Sequence, residues 1–407
     1  MSLYDKMGLL ITPNGVAPSK IFAYKPTNGS GDGVFDRNTT ATRVNSAGLI
    51  EDVAIDMARI DYPTNGSCPH LLFEPQSTNL VTYSEDFSNA SWDKFGCTVV
   101  NNNQISPDGT LNASKVTSIT TDPGFTKIIN VNATTYTFSF YVKGDVNSIG
   151  NVCRVLFWYI GTATGSTSSH NYTLTGDWQR VSFQTTPTGA GTLFFRTDFP
   201  ANESNIGDVG YIYGAQVEAL PYATSYIPTN GSAVTRVKDV ANNFGDVNTF
   251  NSEEGVLFVE MAALGNDGTY RQLTISGAGN NEINILFNSN GTIGGVVRVA
   301  GAYVVNISGT VSDVLAFNKI AFKYKENDFA LWINGVKVAT DFIGSVPNTA
   351  TELMFNHPVG LNYLYAKVKQ VQVYKEALTD LELEYLTTYA TFPDLANANN
   401  YNLILNT

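Results

Sequence analysis

Residues 318–341 read NKIAFKYKENDFALWINGVKVATD, and residues 368–386 read VKQVQVYKEALTDLELEYL. Apolar and polar residues alternate through the first stretch, which predicts two strands joined at a tight turn. Asn334-Gly335 then opens a third strand, because both central positions of a type I′ hairpin turn require positive φ. The second stretch predicts a strand from Val368 to Tyr374 followed by a short helix. Thr379 and Glu382 stand at capping-box spacing, where each side chain satisfies a backbone N–H of the other.

The composition agrees with a β-rich chain. Of 407 residues only 15% are charged and 43% are apolar, with Gly, Asn, Thr, Ser, Tyr and Phe abundant. That balance suits many short strands with polar turns, and the apolar share is enough to fill packed cores. The length predicts two or three domains. A net charge of −12 with no run of Lys and Arg excludes a general nucleic-acid binder, which needs clustered cations against phosphate. Cys68, Cys97 and Cys153 have neither CxxC spacing nor an even count, so inert thiols are expected in place of disulfides. Three histidines without paired spacing argue against zinc. The N-terminus lacks a basic segment followed by an apolar core, and no stretch approaches the ~20 apolar residues of a membrane span. Synthesis in a bacterial cytoplasm without membrane insertion is the expectation.

PTNGS recurs at Pro26–Ser30, Pro63–Ser67 and Pro228–Ser232. Pro followed by Asn-Gly favours chain reversal, so each copy reads as a turn. Residues 1–80 are dense in Gly, Pro and Asn and predict an extended region that lies against its neighbours. The run RNTTATRVNSAGLIEDVAIDMARIDYPTNGSCPHLLFEPQSTNLVTYSEDFSNASWDK, Arg37 to Lys94, resembles a segment that recurs in tail and virion proteins of bacteriophages. The resemblance implies a place on the virion surface and contacts with other virion proteins through the N-terminal region.

From Thr82 to Ile227 the alternation becomes regular. Tyr136, Phe138, Phe140 and Val142 fall on one face of a strand, and further strands read VCRVLFWYI (152–160), DWQRVSFQT (177–185), TLFFRTDF (192–199) and VGYIYGAQVE (209–218). Strands at this spacing predict a jelly-roll sandwich. Their order is similar to carbohydrate-binding modules of the CBM4/9/22 type, which implies saccharide binding. Those modules often end in an acidic pair that holds calcium, whereas this chain has Gly214-Ala215-Gln216. Residues 238–392, with W-I-N-G and the closing ALTDLEL, resemble the laminin-G-like branch of the concanavalin A-like lectin fold. The expected fold class is therefore all-β: an irregular N-terminal region and two antiparallel β-sandwich domains, with one short helix near the C-terminus. The expected boundaries are 1–80 for the anchoring region, 81–236 for the jelly roll, 237–395 for the lectin-like sandwich and 396–407 for a tail.

Period two through the middle strands predicts a glycan-binding face of Tyr141, Arg154, Trp158, Arg196, Asp198 and Gln216. Phe138, Phe140, Val155, Phe157, Phe195 and Val217 would fill the core behind it. An aromatic plane beside guanidinium, carboxylate and amide groups suits sugar, because rings stack on C–H groups while polar groups select hydroxyls. A subunit interface or a plain solvated face are the competing readings. Calcium prefers six to eight oxygens, and Asp267, Asn280 and Asn356 on rim loops are the weak candidates; otherwise no cofactor is expected. No strand carries the paired carboxylates of a glycosidase, so no catalytic residue is assigned.

Together with the resemblances above, these residues give the expectation of a bacteriophage virion protein adhering to host-surface polysaccharide, as a homo-oligomer with a trimer as one expected form. The alternatives are a head-fibre, capsid-decoration or tail-assembly protein without glycan binding, and a polysaccharide depolymerase.

Overall fold

The computed structural model describes residues 2–63, 66–160, 165, 168–203 and 205–388. The expected tail, 396–407, lies outside them. Among the described residues two short helices, Leu3–Lys6 and Asp380–Thr388, accompany antiparallel strands throughout. The protein is all-β.

The chain separates into two compact units, and the division departs from the linear partition expected above. One unit is Met1–Thr39, Val53–Pro75 and Lys238–Thr407; the other is Thr40–Asp52 and Gln76–Val237. Residues 1–80 are thus divided between the two units. Their apolar pieces are too short to form a core of their own and are buried as parts of the sandwiches.

The first unit pairs an eight-stranded sheet with a five-stranded one. The larger sheet runs Val336–Asp341, Phe329–Ile333, Asn318–Lys325, Glu254–Ala263, Ala366–Tyr374, His70–Leu72 and Arg59–Asp61, with Met7–Ile11 as the eighth strand beside Ala366–Tyr374. The smaller runs Ala302–Gly309, Ile293–Val299, Asn281–Phe287, Arg271–Gly277 and Glu352–Met354. Leu257, Val259, Phe322 and Val371 of one sheet meet Ile283, Ile285 and Val297 of the other in a single core. Val256, Phe258, Ala321 and Trp332 point the other way, onto Leu383 and Leu386 of the closing helix. Both faces of the sheet are buried, which is why GVLFVEM reads as a continuous apolar run.

The stretch at 318–341 folds as its sequence predicts. Asn334 and Gly335 have φ of 50° and 84°, the left-handed pair of the hairpin turn. The Glu382 N–H donates to Thr379 Oγ1 at 3.3 Å, and the Thr379 N–H donates to Glu382 Oε2 at 2.9 Å. The Gly of each PTNGS copy also has positive φ: 84° at Gly29, 73° at Gly66 and 97° at Gly231. Thr64 and Asn65 of the second copy lie outside the described residues.

The N-terminal segments have a defined place on this sheet. Ala366–Tyr374 pairs on one side with Glu254–Ala263, and its other edge would be open. Met7–Ile11 covers one half of that edge, with Leu10 opposite Gln372, and His70–Leu72 covers the other, with Leu71 opposite Val368. Unpaired strand edges invite association, and covering them removes that hazard. Four charged side chains beside this edge are buried together. Arg37 binds Asp239 at 3.1 Å, Arg59 binds Glu74 at 2.5 Å, and Arg59 also reaches Asp239. Three members of this network, Arg37, Arg59 and Glu74, belong to the Arg37–Lys94 segment.

The second unit is a sandwich of two five-stranded sheets. One runs Asp93–Phe95, Gly124–Val131, Gly191–Asp198, Val152–Ile160 and Ser168–Thr173; the other runs Cys97–Ile105, Leu111–Ser118, Val209–Glu218, Tyr136–Gly144 and Gln179–Thr185. Phe138, Phe140, Val155, Phe157, Phe195 and Val217 fill the interior as alternation predicts. Asn79, fully buried, ties three segments of this unit together. Its amide donates to the carbonyls of Ala215 and Ile227 at 3.0 and 2.9 Å, and it accepts from the N–H groups of Val81 and Val217, both at 3.1 Å. Asn79→Ala strands these backbone groups and should cost about 3 kcal/mol or more, read as a lowered denaturation midpoint. An unchanged midpoint would contradict this role.

Candidate functional site

The exterior of the sheet centred on Gly191–Asp198 gathers four of the six expected glycan-binding residues. Register sets Asp198 opposite Arg154, Arg196 opposite Leu156, and Phe194 opposite Trp158. On the other side Phe194 faces Ile128, Arg196 faces Thr126, and Asp198 faces Gly124. Residues two apart share a face, so Arg154, Trp158, Phe194, Arg196 and Asp198 all project outward.

The site has an apolar and a charged half. Trp158 and Phe194 stack with centroids 4.9 Å apart and planes 12° from parallel, flanked by exposed Ile128 and Ile160. Farther along the same face, four residues from Phe194, Asp198, fully buried, joins two arginines. Arg154 Nη2 meets Asp198 Oδ2 at 2.5 Å and Arg196 Nε meets Oδ1 at 2.5 Å. Arg196 Nη2 also reaches the exposed Asp122 at 2.5 Å, and its guanidinium lies 4.2 Å from the centroid of the Phe95 ring. A carboxylate with no access to water holds both guanidinium groups in place, so their free N–H edges are pre-oriented toward the surface.

Tyr141 and Gln216 do not join this face. They lie on the opposite sheet, where Tyr141 is opposite Tyr213 and Ser139 is opposite Gln216. That exterior is covered: Ile50, Ala113, Tyr213 and Tyr226 cluster there with Tyr141 and Trp178 packed against them. Gln216 is fully buried, and its amide oxygen accepts the Ile227 N–H at 2.7 Å. Their alternation is outward, as expected, but outward from a different sheet. Phe194, Phe95 and Ile128 were missed, although parity with Arg196 marks Phe194 as outward.

A polar cleft lies elsewhere on the same unit. A cavity of about 370 Å³ is lined by Glu51, Asp52, Glu85, Asp108, Tyr213 and Tyr226 among others, and one of about 330 Å³, also bounded by Glu85, holds Asp86, Asn101 and Asn112. Burial pushes the Glu85 carboxyl up, against hydrogen bonds from Tyr226 and Tyr213 that favour its charged form. Burial also acts on Asp108, but hydrogen bonds from Ser106, Thr110 and Asn112 outweigh it and hold that carboxyl below its usual range. Environments that separate two carboxyl groups in this way recur in acid–base pairs. Here, however, Asp108 is already saturated. Oδ1 accepts from the Ser106 hydroxyl and from the Thr110 N–H and hydroxyl, while Oδ2 accepts from Asn112 and Tyr213. A carboxylate so occupied braces the 106–112 turn and has little lone-pair capacity left to attack or to activate water.

The calcium candidates do not converge. Asp267 precedes the strand Arg271–Gly277 and Asn280 follows it, so the strand's length, roughly 20 Å, separates them. Asp267 Oδ1 is taken by Arg271 Nη2 at 2.7 Å, and the Asn356 amide donates to the His357 carbonyl at 2.7 Å. These three do not form a calcium site. Among the described residues no group of three or more His, Cys, Asp or Glu side chains could hold a metal ion. Cys68, Cys97 and Cys153 are all free thiols.

Fold and site together define an all-β protein of two sandwich units, one bearing an aromatic–arginine sheet face. No family model and no curated protein matches the chain. Solved structures to which the chain is similar include the CBM40 of the Ruminococcus gnavus IT-sialidase, bound to α2,3-sialyllactose (18% identity, 34% of this chain and 84% of that one, TM-score 0.29). The CBM22-1 xylan-binding domain of Paenibacillus barcinonensis Xyn10C is similar at 12% identity, over 36% and 94%, with a TM-score of 0.27. Tailspike protein 4 of bacteriophage CBA120 is similar at 15% identity over 34% of this chain, with a TM-score of 0.27, and the match spans 21% of the tailspike chain.

Proposed function

We propose that this protein binds glycan through the exterior of the Gly191–Asp198 sheet and is displayed on a bacteriophage particle. The observation that carries the binding reading is the stacked Trp158–Phe194 pair sharing a sheet face with two arginines anchored on buried Asp198. Aromatic surface next to fixed donors supplies both parts of saccharide recognition: C–H stacking and hydroxyl selection. The virion reading rests on the Arg37–Lys94 resemblance. Adhesion needs no catalytic group, and assembly into a cyclic oligomer, such as a trimer, would convert weak single sites into avidity for a cell surface.

Trp158→Ala should weaken binding to immobilised host-surface polysaccharide about tenfold, equivalent to about 1.4 kcal/mol, with the melting temperature little changed. Equal binding by wild type and variant would overturn the assignment of this face. Exposed Ile128 and Ile160 favour a second reading, in which the same face is a subunit contact in a structural virion component. Light scattering separates the two, since an Ile128→Lys variant would then change oligomeric mass and leave glycan binding absent throughout. The depolymerase alternative predicts sustained release of reducing ends from host capsule, which the saturated Asp108 does not favour.

A further inference from the structure

We infer that the glycan bound by this face is acidic, its sugar carboxylate seated against the free edge of Arg154; this rests on the glycan-binding reading above. The argument is one of charge and donor accounting at named atoms. Two guanidinium groups share the single buried carboxylate of Asp198. Arg154 uses Nε and Nη2, at 2.6 and 2.5 Å, on one oxygen of it, and its side chain remains 31% exposed. Its cross-strand neighbours are Asp198 and the uncharged Asn171, so no second acid faces it across the ladder. Arg196 differs: its remaining charge is met by Asp122, a side chain 66% exposed and therefore easily displaced by a ligand carboxylate. Asp93, the other acid of this face, lies opposite Thr126, two strands and roughly 10 Å from Arg196.

A guanidinium edge with unused N–H donors is shaped for a planar carboxylate, which it binds with two parallel hydrogen bonds. A neutral sugar would gain the stacking surface but would leave that positive edge with only hydroxyl partners. The net charge of −12 offers polyanions no general attraction, so affinity for them has to come from this local pair. Removing one member should therefore abolish selectivity outright.

The test uses the full chain on immobilised polygalacturonate, hyaluronan and polysialic acid, each beside its carboxyl-reduced form. Wild type should bind at least one acidic polymer tenfold or more tighter than its reduced counterpart, with affinity falling as sodium chloride rises. Arg154→Gln should erase that difference, while Trp158→Ala should weaken binding to both forms. Asp122→Asn, which removes the competing carboxylate beside Arg196, should raise affinity for the acidic form severalfold. Trp158-dependent binding that is equal for acidic and reduced polymers, or confined to reduced ones, overturns the inference and leaves the glycan reading standing. Binding to no polymer in either form overturns both.

Discussion

Asp239→Ala should lower the stability of the first unit by about 3–5 kcal/mol, the cost of leaving buried charges without their partner. Asp239 is fully buried and serves two arginines, Arg37 at 3.1 Å and Arg59, while also accepting the Glu74 N–H at 2.7 Å. Both guanidinium groups are themselves inaccessible to water. Removing the aspartate takes away the carboxylate that both cations share. Asp239→Asn keeps the shape but loses the charge, and should be nearly as damaging. Urea denaturation of the purified chain measures the effect, and hydrogen exchange should show Met7–Ile11 and His70–Leu72 losing protection along with it. A midpoint within experimental error of wild type would show that the network contributes nothing net, as happens where desolvation cancels attraction.

The second large effect is a loss of stability as pH falls from 6.5 toward 3, traceable to His70. Burial pushes its imidazole down to about 3, with Lys367 and Lys369 adding to the shift and Glu74 opposing it. Asp61 Oδ2 stands 3.4 Å from Nε2 and also favours the charged ring, but burial beside the edge of the Phe317 ring dominates. The unfolded chain takes up a proton near pH 6.5 that the folded state refuses until about pH 3. Stability from this group is therefore complete above pH 6.5 and declines at about 1.4 kcal/mol per pH unit below it. At pH 5 the expected loss is about 2 kcal/mol relative to pH 7. His70→Phe keeps the ring and removes the titration, so its denaturation midpoint should fall less between pH 7 and 5. Parallel slopes for variant and wild type would show that carboxylates, not His70, govern the acid response.

Much of this architecture is legible in the sequence. Val152–Ile160 and Val209–Glu218 have the bounds that alternation assigns them, and Gln179–Thr185 and Gly191–Asp198 differ by one or two residues at an end. The interior aromatics Phe138, Phe140, Phe157 and Phe195 follow from period two alone, because side-chain direction in a strand is a local property. The proposed glycan-binding face was only partly legible. Arg154, Trp158, Arg196 and Asp198 come together because their strands are neighbours, whereas Tyr141 and Gln216 face outward from the other sheet. Alternation says which residues point out, and says nothing of which sheet they point out from.

The N-terminal region is the sharper case. Its Gly, Pro and Asn content marks turns, and the positive φ values of Gly29, Gly66 and Gly231 bear that out. Its burial could not be read there, since Arg59 meets an aspartate 180 residues away and Met7–Ile11 pairs with the strand that closes the unit. The run at 318–341 and the capped helix after Tyr374 needed nothing beyond their own residues, because turns, caps and strand alternation are set by φ, ψ and side-chain chemistry within a few positions. Which strands became neighbours, which charges lost their water and which arginines came to share Asp198 were decided only by the tertiary structure. Those outcomes depend on contacts between residues far apart in the chain, whose free energy exists only once both sheets have formed.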